Sequence, residues 1–277
     1  QTAINFFGRR LIGVVVSSLL LAVTIISLTV QGLNLGIDFE GGTSWDVPAS
    51  SFTVADADDV LAQADIDTEG SRIQLRDSES GSFVKVQVRS ISDAEARDVR
   101  QLLAEAAGTS VDDINVNVVS ASWGSDITNK AIRALVIFLI VVAIFISFRF
   151  EWRMAVAAIL AMVHDVVISV GIYSLFGFVV TPATVIAFLT ILGYSLYDTI
   201  VVFDRVKENE TRFAQVRVGY GDVVNVSMNQ VLMRSTNTSI SSVLPVIALL
   251  VIGSGVLGAS TLSEFAIALL IGMLMGT

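Results

Sequence analysis

Apolar and polar positions divide the chain into blocks before any single residue is weighed. Residues 11–30 carry no charge and follow Arg9 and Arg10. About 20 mostly apolar residues suffice to cross a bilayer, so residues 1–30 read as an N-terminal segment and a first span. No small-x-small cleavage pattern follows this run, so an uncleaved anchor is expected rather than a signal peptide. Further apolar runs at about 131–148, 154–176, 182–203 and 235–252 supply four more spans. A sixth begins near Glu264 and is still apolar at Thr277. Those last residues make only ~21 Å of helix against a ~30 Å hydrocarbon core. The sixth span is therefore expected to be truncated, and Gln1 in place of Met fits trimming at the other end.

The block between the first two spans, residues 31–130, has a different rhythm. Residues 44–48 (SWDVP) predict a strand, and Thr53 can cap a helix over 54–64. Residues 72–76 alternate as a strand, 78–82 (SESGS) read as a turn, and 83–89 alternate again with Phe83, Val84, Val86 and Val88 among polar neighbours. Ser92 and Glu95 form a capping box that opens a helix to about Ala107. Residues 113–121 (DINVNVVSA) close with a strand. The order β-α-β-β-α-β is that of a ferredoxin-like split βαβ fold. The expected fold class is thus an α-helical polytopic membrane protein with six transmembrane helices and an inserted α+β ferredoxin-like extracytoplasmic domain. Residues 131–277 would hold spans two to six.

Composition and charge sharpen this division. Only 16% of the residues are charged, against about 25% in soluble domains. The net charge of −9 is unevenly placed. Residues 31–130 hold 18 Asp and Glu against 7 Lys and Arg, and the remainder holds 8 against 10. Neither block has the basic face that a nucleic acid would require. With no cysteine and one histidine, thiolate and multi-histidine metal sites are excluded. If the spans alternate, Arg9, Arg10, Arg149, Arg153, Arg205, Lys207, Arg212 and Arg217 fall on one side. The opposite short loops, near 177–181 and 253–263, hold no Lys or Arg. The positive-inside rule then places the N-terminus in the cytoplasm and residues 31–130 outside.

Ionisable groups at membrane depth are functional candidates. Asp198 lies about 16 residues, ~24 Å of helix, below the outer end of the fourth span. Gly193, Ser195 and Thr199 beside it suit close helix packing. Arg234 opens the fifth span, and Arg234, Thr238, Ser241 and Ser242 recur at helical spacing as a polar stripe. Asp198 and Arg234 both fall in the cytoplasmic half of their spans, where they can meet. A structural hydrogen bond at Asp198 and an interfacial, snorkelling Arg234 are the plainer readings. His164 and Asp165 sit mid-span; adjacent helical residues diverge by about 100°, and a relay or a satisfied buried pair both remain open. Glu264 at the outer end of the sixth span reads as interfacial.

An Asp–Arg pair in lipid has a use. Burial raises the proton affinity of a carboxylate and a nearby guanidinium lowers it. A moving arginine would let the acid bind a proton on one side and release it on the other. One proton crossing the membrane field is worth about 2.3 kcal/mol per 100 mV.

Four stretches carry a resemblance. GIDFEGG at 36–42 is similar to the GIDFxGG signature of the SecD/SecF family of protein-export membrane proteins. The runs from His164 (HDVVISVGIYSLFG), Gly193 (GYSLYDTIVVFDRVKEN) and Asn229 (NQVLMRSTNTS) resemble the SecF branch of that family. The similarity covers nearly the whole chain in order. It implies membership of the resistance-nodulation-division superfamily of proton-driven transporters, located in the bacterial or archaeal cytoplasmic (inner) membrane. SecD, the SecYEG channel, translocating preproteins and membrane lipid are the implied partners. Proton flux through the helices would drive the outer domain to pull preproteins outward, with protons as coupling ion, no cofactor and no enzymatic turnover. The family's membrane Asp falls on Asp198 and its membrane Arg on Arg234, with Asp165, His164, Tyr197 and Thr238 as further members of a relay. Many relatives carry Asn before the membrane Asp, where this chain has Tyr197, a hydroxyl and no amide. The motif loop of Gly36, Asp38, Gly41 and Gly42 also has a plain reading as a structural turn where the chain leaves the membrane.

Three other functions compete. A purely structural partner of SecD would need no flux. An intramembrane aspartyl protease would use Asp165 and Asp198 as a shared-proton dyad, but the sequence lacks a GxGD motif. Small-molecule efflux would call for two outer domains and two helix sets in one chain.

Overall fold

The computed structural model describes residues 4–50, 52–66, 71–78, 81–89, 91–216, 218–255 and 260–276. Among the described residues, five helices are long and apolar enough to cross a membrane. They are α1 (Arg10–Val30), α5 (Ala121–Arg149), α6 (Trp152–Phe176), α7 (Pro182–Phe213) and α8 (Tyr220–Gly255). A shorter apolar helix, α9 (Ser260–Met275), packs against α6, α7 and α8. Residues 79–80 of the expected turn, Arg217, residues 256–259 and Thr277 lie outside the described residues.

Between α1 and α5 comes a sheet domain. Its elements are β2 (Gly42–Pro48), α3 (Val54–Gln63), β3 (Arg72–Ser78), β4 (Gly81–Val88), α4 (Asp93–Ala107), a 3-10 turn (Val111–Asp113) and β5 (Asn115–Val119). The four strands form an antiparallel sheet in the order β3-β4-β2-β5. Alternation decides the buried face. Trp45 and Val47 of β2 pair with Val86 and Val84 of β4. All four are fully buried beneath Val60 and Leu61 of α3 and Val99 and Leu103 of α4. Both helices begin at complete capping boxes, Thr53 with Asp56 and Ser92 with Glu95. Gly108 ends α4 in the left-handed conformation.

Helix ends depart from the apolar runs. α5 starts at Ala121, capped by the Ser120 hydroxyl, ten residues before the expected span at 131. α8 starts at Tyr220 rather than near 235. Both extensions, ten and fifteen residues long, mix polar with apolar residues, so helix geometry accepts them while an apolar run does not register them. In α8 they have a packing role: Asn225 and Asn229 accept from the backbone N–H groups of Phe7 and Ile4. The N-terminal segment is thereby held against the far end of the bundle, away from the sheet domain.

Small residues and hydroxyls let the helices approach closely. A side chain at Gly171 of α6 would overlap Thr24 of α1, and one at Gly272 of α9 would overlap Ile191 of α7. The Ser27 and Ser174 hydroxyls bond across α1 and α6 at 2.8 Å. At the far end buried Asn209 of α7 donates to Ser227 and Gln230 of α8, each at 2.9 Å.

The junction of the two parts is short and tightly packed. β1 (Asn34–Leu35), just past α1, pairs in parallel with β6 (Val179–Val180), the turn between α6 and α7. One helical turn, α2 (Ile37–Glu40), then leads into β2. Gly41 and Gly42 have φ of +76° and +149°, a region costly for residues with a Cβ. Gly42 also lies so close to the Val88 carbonyl that a Cβ would overlap it. The GIDFEGG loop is therefore a joint whose last two glycines, Gly41 and Gly42, are demanded by backbone geometry.

Candidate functional site

Asp198 sits midway along α7, and Arg234 lies on the adjoining face of α8. The carboxylate is part-buried. Its Oδ1 accepts a long hydrogen bond, 3.5 Å, from the Ser235 hydroxyl. The Arg234 guanidinium is near enough to act on Asp198 through space. It nevertheless donates to the Tyr197 hydroxyl at 2.9 Å, with its carbon 6.0 Å from the ring centroid. The expected Asp–Arg meeting is thus a four-residue arrangement in which Tyr197 holds the cation and Ser235 touches the acid. Tyr197 takes up the position before the acid as a hydrogen-bond acceptor, which needs only a hydroxyl.

The hydroxyls of α8 in and beside the polar stripe are of two kinds. Thr236, Thr238 and Ser239 each donate to the carbonyl four residues back, the local satisfaction usual for hydroxyls inside helices. Thr238 therefore bonds Arg234's own carbonyl, away from the Asp198 carboxylate. Ser235, one residue past Arg234, is the hydroxyl that crosses to α7. Spacing of three and four along the stripe gives no signal for it.

A second cluster spans three helices. The His164 Nδ1 lies 3.1 Å from Asp165 Oδ1, and its Nε2 meets the Ser17 hydroxyl of α1. Ser195 of α7, nearly fully buried, donates to Asp165 Oδ2 at 2.7 Å. The two neighbours do diverge to different helices, but they also bond one another. With an ionised carboxylate, Nδ1 must carry a hydrogen, and a neutral ring then leaves Nε2 to accept from Ser17. Ser195 lies three residues, one helical turn, before Asp198 on α7. The chain Ser17–His164–Asp165–Ser195 therefore runs to within a turn of the first cluster. Nothing about Ser17 in the sequence marks it, because its role exists only once α1 docks on α6. Asp165 and Asp198 have different partners and form no shared-proton pair with each other.

At the sheet end, Asp38 of α2 is half-buried. Burial, and next the nearby Glu264 carboxylate, push its pKa up, and Lys85 opposes them. The Arg72 guanidinium of β3 donates to the Leu35 carbonyl at 2.8 Å and so fastens the sheet domain to the strand leaving α1. Among the described residues, no group of three or more His, Asp or Glu side chains is placed to hold a metal ion.

A family profile described as "Protein export membrane protein SecD/SecF, C-terminal" matches residues 98–277. A second, the "SecD/SecF GG Motif", matches residues 26–50. The protein translocase subunit SecF of Mycobacterium tuberculosis is 41% identical over 99% of this chain, which spans 64% of that protein's length. The SecF of Streptomyces coelicolor is 40% identical over the whole chain and 73% of its own length. The crystal structure of SecDF from Thermus thermophilus, described as a translocon-associated membrane protein, superimposes with a TM-score of 0.85 at 30% identity. That match covers all of this chain and 37% of the larger one. On the motifs at 36–42 and 193–210, the helical architecture and these matches, the chain belongs to the SecD/SecF family of protein-export membrane proteins, in its SecF branch.

Proposed function

We propose that this SecF-type chain couples proton passage through its membrane helices to movement of the sheet domain, and that this movement promotes export of preproteins. The observation that carries the reading is Asp198, an acid held part-buried within the apolar run at 182–203 of the 32-residue α7. Insertion scales set the cost of such a group at roughly 2.5–3.5 kcal/mol, so a use for it is expected. The local geometry supplies one. A long bond to Ser235 and a guanidinium resting on the neighbouring Tyr197 leave the carboxylate incompletely partnered. A short swing of Arg234 from Tyr197 to Asp198 would favour the ionised form and release a proton. The return swing would favour uptake.

The wider reading follows the same lines. α9 is the sixth span, and the sheet domain is a ferredoxin-like insertion on the extracytoplasmic side. The far end of the bundle, which holds the N-terminal segment and Arg149, Arg153, Arg205 and Lys207, is cytoplasmic. SecD is the membrane partner, and SecYEG and translocating preproteins are the outer associates. Protons are the coupling ion and no cofactor is required. Tyr197 is 46% exposed, and Arg234, Asn237 and Ser241 are exposed along one face of α8. Such a face is costly against acyl chains and fits a partner's membrane helices, which also supports the second reading, a structural partner of SecD without flux. The Thermus relative, whose name is SecDF, fits that pairing.

Asp198→Asn separates the two readings. In inverted membrane vesicles containing the translocase, it should abolish stimulation of preprotein uptake by a proton gradient while leaving protein level and complex assembly unchanged. Undiminished stimulation would leave the structural reading standing.

A further inference from the structure

A cavity of about 270 Å3 opens at the far end of the bundle between the last turn of α5, the lower half of α7 and the first half of α8. Its walls alternate charge with apolar surface. Arg149 ends α5 and Phe150 follows it; Val201, Asp204, Arg205 and Glu208 come from α7, and Gln230 and Arg234 from α8. We propose that this cavity is the water-filled mouth through which the Asp198–Arg234 site reaches the cytoplasm, and that the Arg149–Asp204 pair is its door. This inference rests on the proton-driven reading above and adds its route and the residues that control it.

Three features support it. First, a space of this size with charged groups of both signs on its walls has the polar partners that bound water requires, unlike a dry apolar void. Second, Arg234 belongs to both places: it lines the cavity and holds Tyr197 beside the acid. Asp204 lies six residues, ~9 Å of helix, beyond Asp198 on the same element. The cavity wall on α7 runs from Ile200, two residues past the acid, to Glu208. Third, the pairs at its rim differ in kind. Arg205 and Glu208 bond at 2.8 Å within α7, so movement between helices leaves that pair intact. Arg149 and Asp204 join different helices at 3.7 Å, with side chains 65% and 61% exposed. Exposed ion pairs are weak, so a small shift of α7 against α5 is enough to part this one.

Asp204 is paired with Arg149 of α5 and shares the cavity wall with Arg205 and Glu208 on its own helix and Arg234 of α8. When the door is shut, its carboxylate is tied to Arg149. When it is open, the carboxylate is released from Arg149 and the mouth admits water to the path toward Asp198. In this scheme Arg149 is a positioning residue that acts through Asp204.

The chain has no cysteine, so one introduced thiol reports on one place. Val201→Cys puts it on the cavity wall; Ile140→Cys puts one on the 53%-exposed, apolar outer face of α5. Both are examined in the full chain with its partners in inverted vesicles, using a charged, membrane-impermeant maleimide. The port predicts that Val201→Cys reacts and Ile140→Cys does not. Adding Arg149→Ala should raise the Val201→Cys rate roughly two- to fivefold, the loss expected for an exposed pair, and Arg149→Lys should restore the parental rate. A Val201→Cys thiol no more reactive than Ile140→Cys would overturn the port even if Asp198→Asn abolishes export. An unchanged rate with Arg149→Ala would overturn the door. A labelled cavity together with normal export by Asp198→Asn would leave a hydrated mouth with no proton traffic, and would sink the reading on which this inference rests.

Discussion

The sheet domain and the helical bundle are built from the same forces turned inside out. In the sheet domain Trp45, Val84, Val86 and Leu103 are sealed inside, and acids such as Asp56 and Glu95 sit on the surface, where they cap helices. In the bundle the outer surface is apolar, with Phe148 89% exposed. There the polar contacts, Ser27 to Ser174, Ser195 to Asp165 and Asn209 to Ser227, lie between helices. Water stabilises the first arrangement through the hydrophobic effect. Lipid offers no such drive between helices, so close packing and hydrogen bonds must supply the association. Stability in the two regions should therefore respond to different kinds of substitution.

The largest effect should come from the sheet domain's apolar centre. Trp45→Ala empties a fully buried site and should cost about 3–5 kcal/mol. Limited proteolysis of the full chain should then cut residues 42–119 while the bundle remains protected. Loss of both regions together would break the contrast. A smaller effect should follow from crowding a helix crossing: Gly171→Leu forces α1 away from α6 at about 1–3 kcal/mol, as overpacking does. Paired Ser27→Cys and Ser174→Cys should form a disulfide readily in the parent and poorly in this variant, while the sheet domain melts as before. The smallest is surface chemistry on the sheet domain. Ser92→Ala removes the cap of α4 and should lower that domain's Tm by about 4–8 °C at neutral pH. The Ser92 hydroxyl and N–H hold the Glu95 carboxyl below its ordinary pKa. The contribution is therefore present above the unfolded carboxylate range and lost as pH falls through the folded value. Below that value the difference between parent and variant should shrink.

The same inversion explains what the sequence could show. Capping boxes are local, and both Thr53 and Ser92 were readable as helix starts from a few neighbouring letters. Apolar runs mark the five long membrane-length helices but not their ends, because hydropathy senses the solvent and not the backbone; hence the extra turns at Ala121 and Tyr220. Within the site, Asp198 and Arg234 stand out because charge in an apolar run is rare. Ser235, Ser195 and Ser17 do not, since a serine in a helix carries no sign of which neighbour it will meet. Tyr197 was visible as a departure from the family pattern. Its part in holding the guanidinium depends on how α7 and α8 rotate against each other, which no spacing encodes.

The two-residue strand at Asn34–Leu35 has a consequence of its own. It is held to Val179 and Val180 by main-chain bonds, and Gly36 adds another to the Val180 carbonyl at 2.9 Å. Peptide groups are common to every amino acid except for proline's missing N–H, so this tether is nearly indifferent to side-chain change. A tilt of α7 begun deep in the bilayer would tug on the stem of the sheet domain through it, whatever residues evolution writes there.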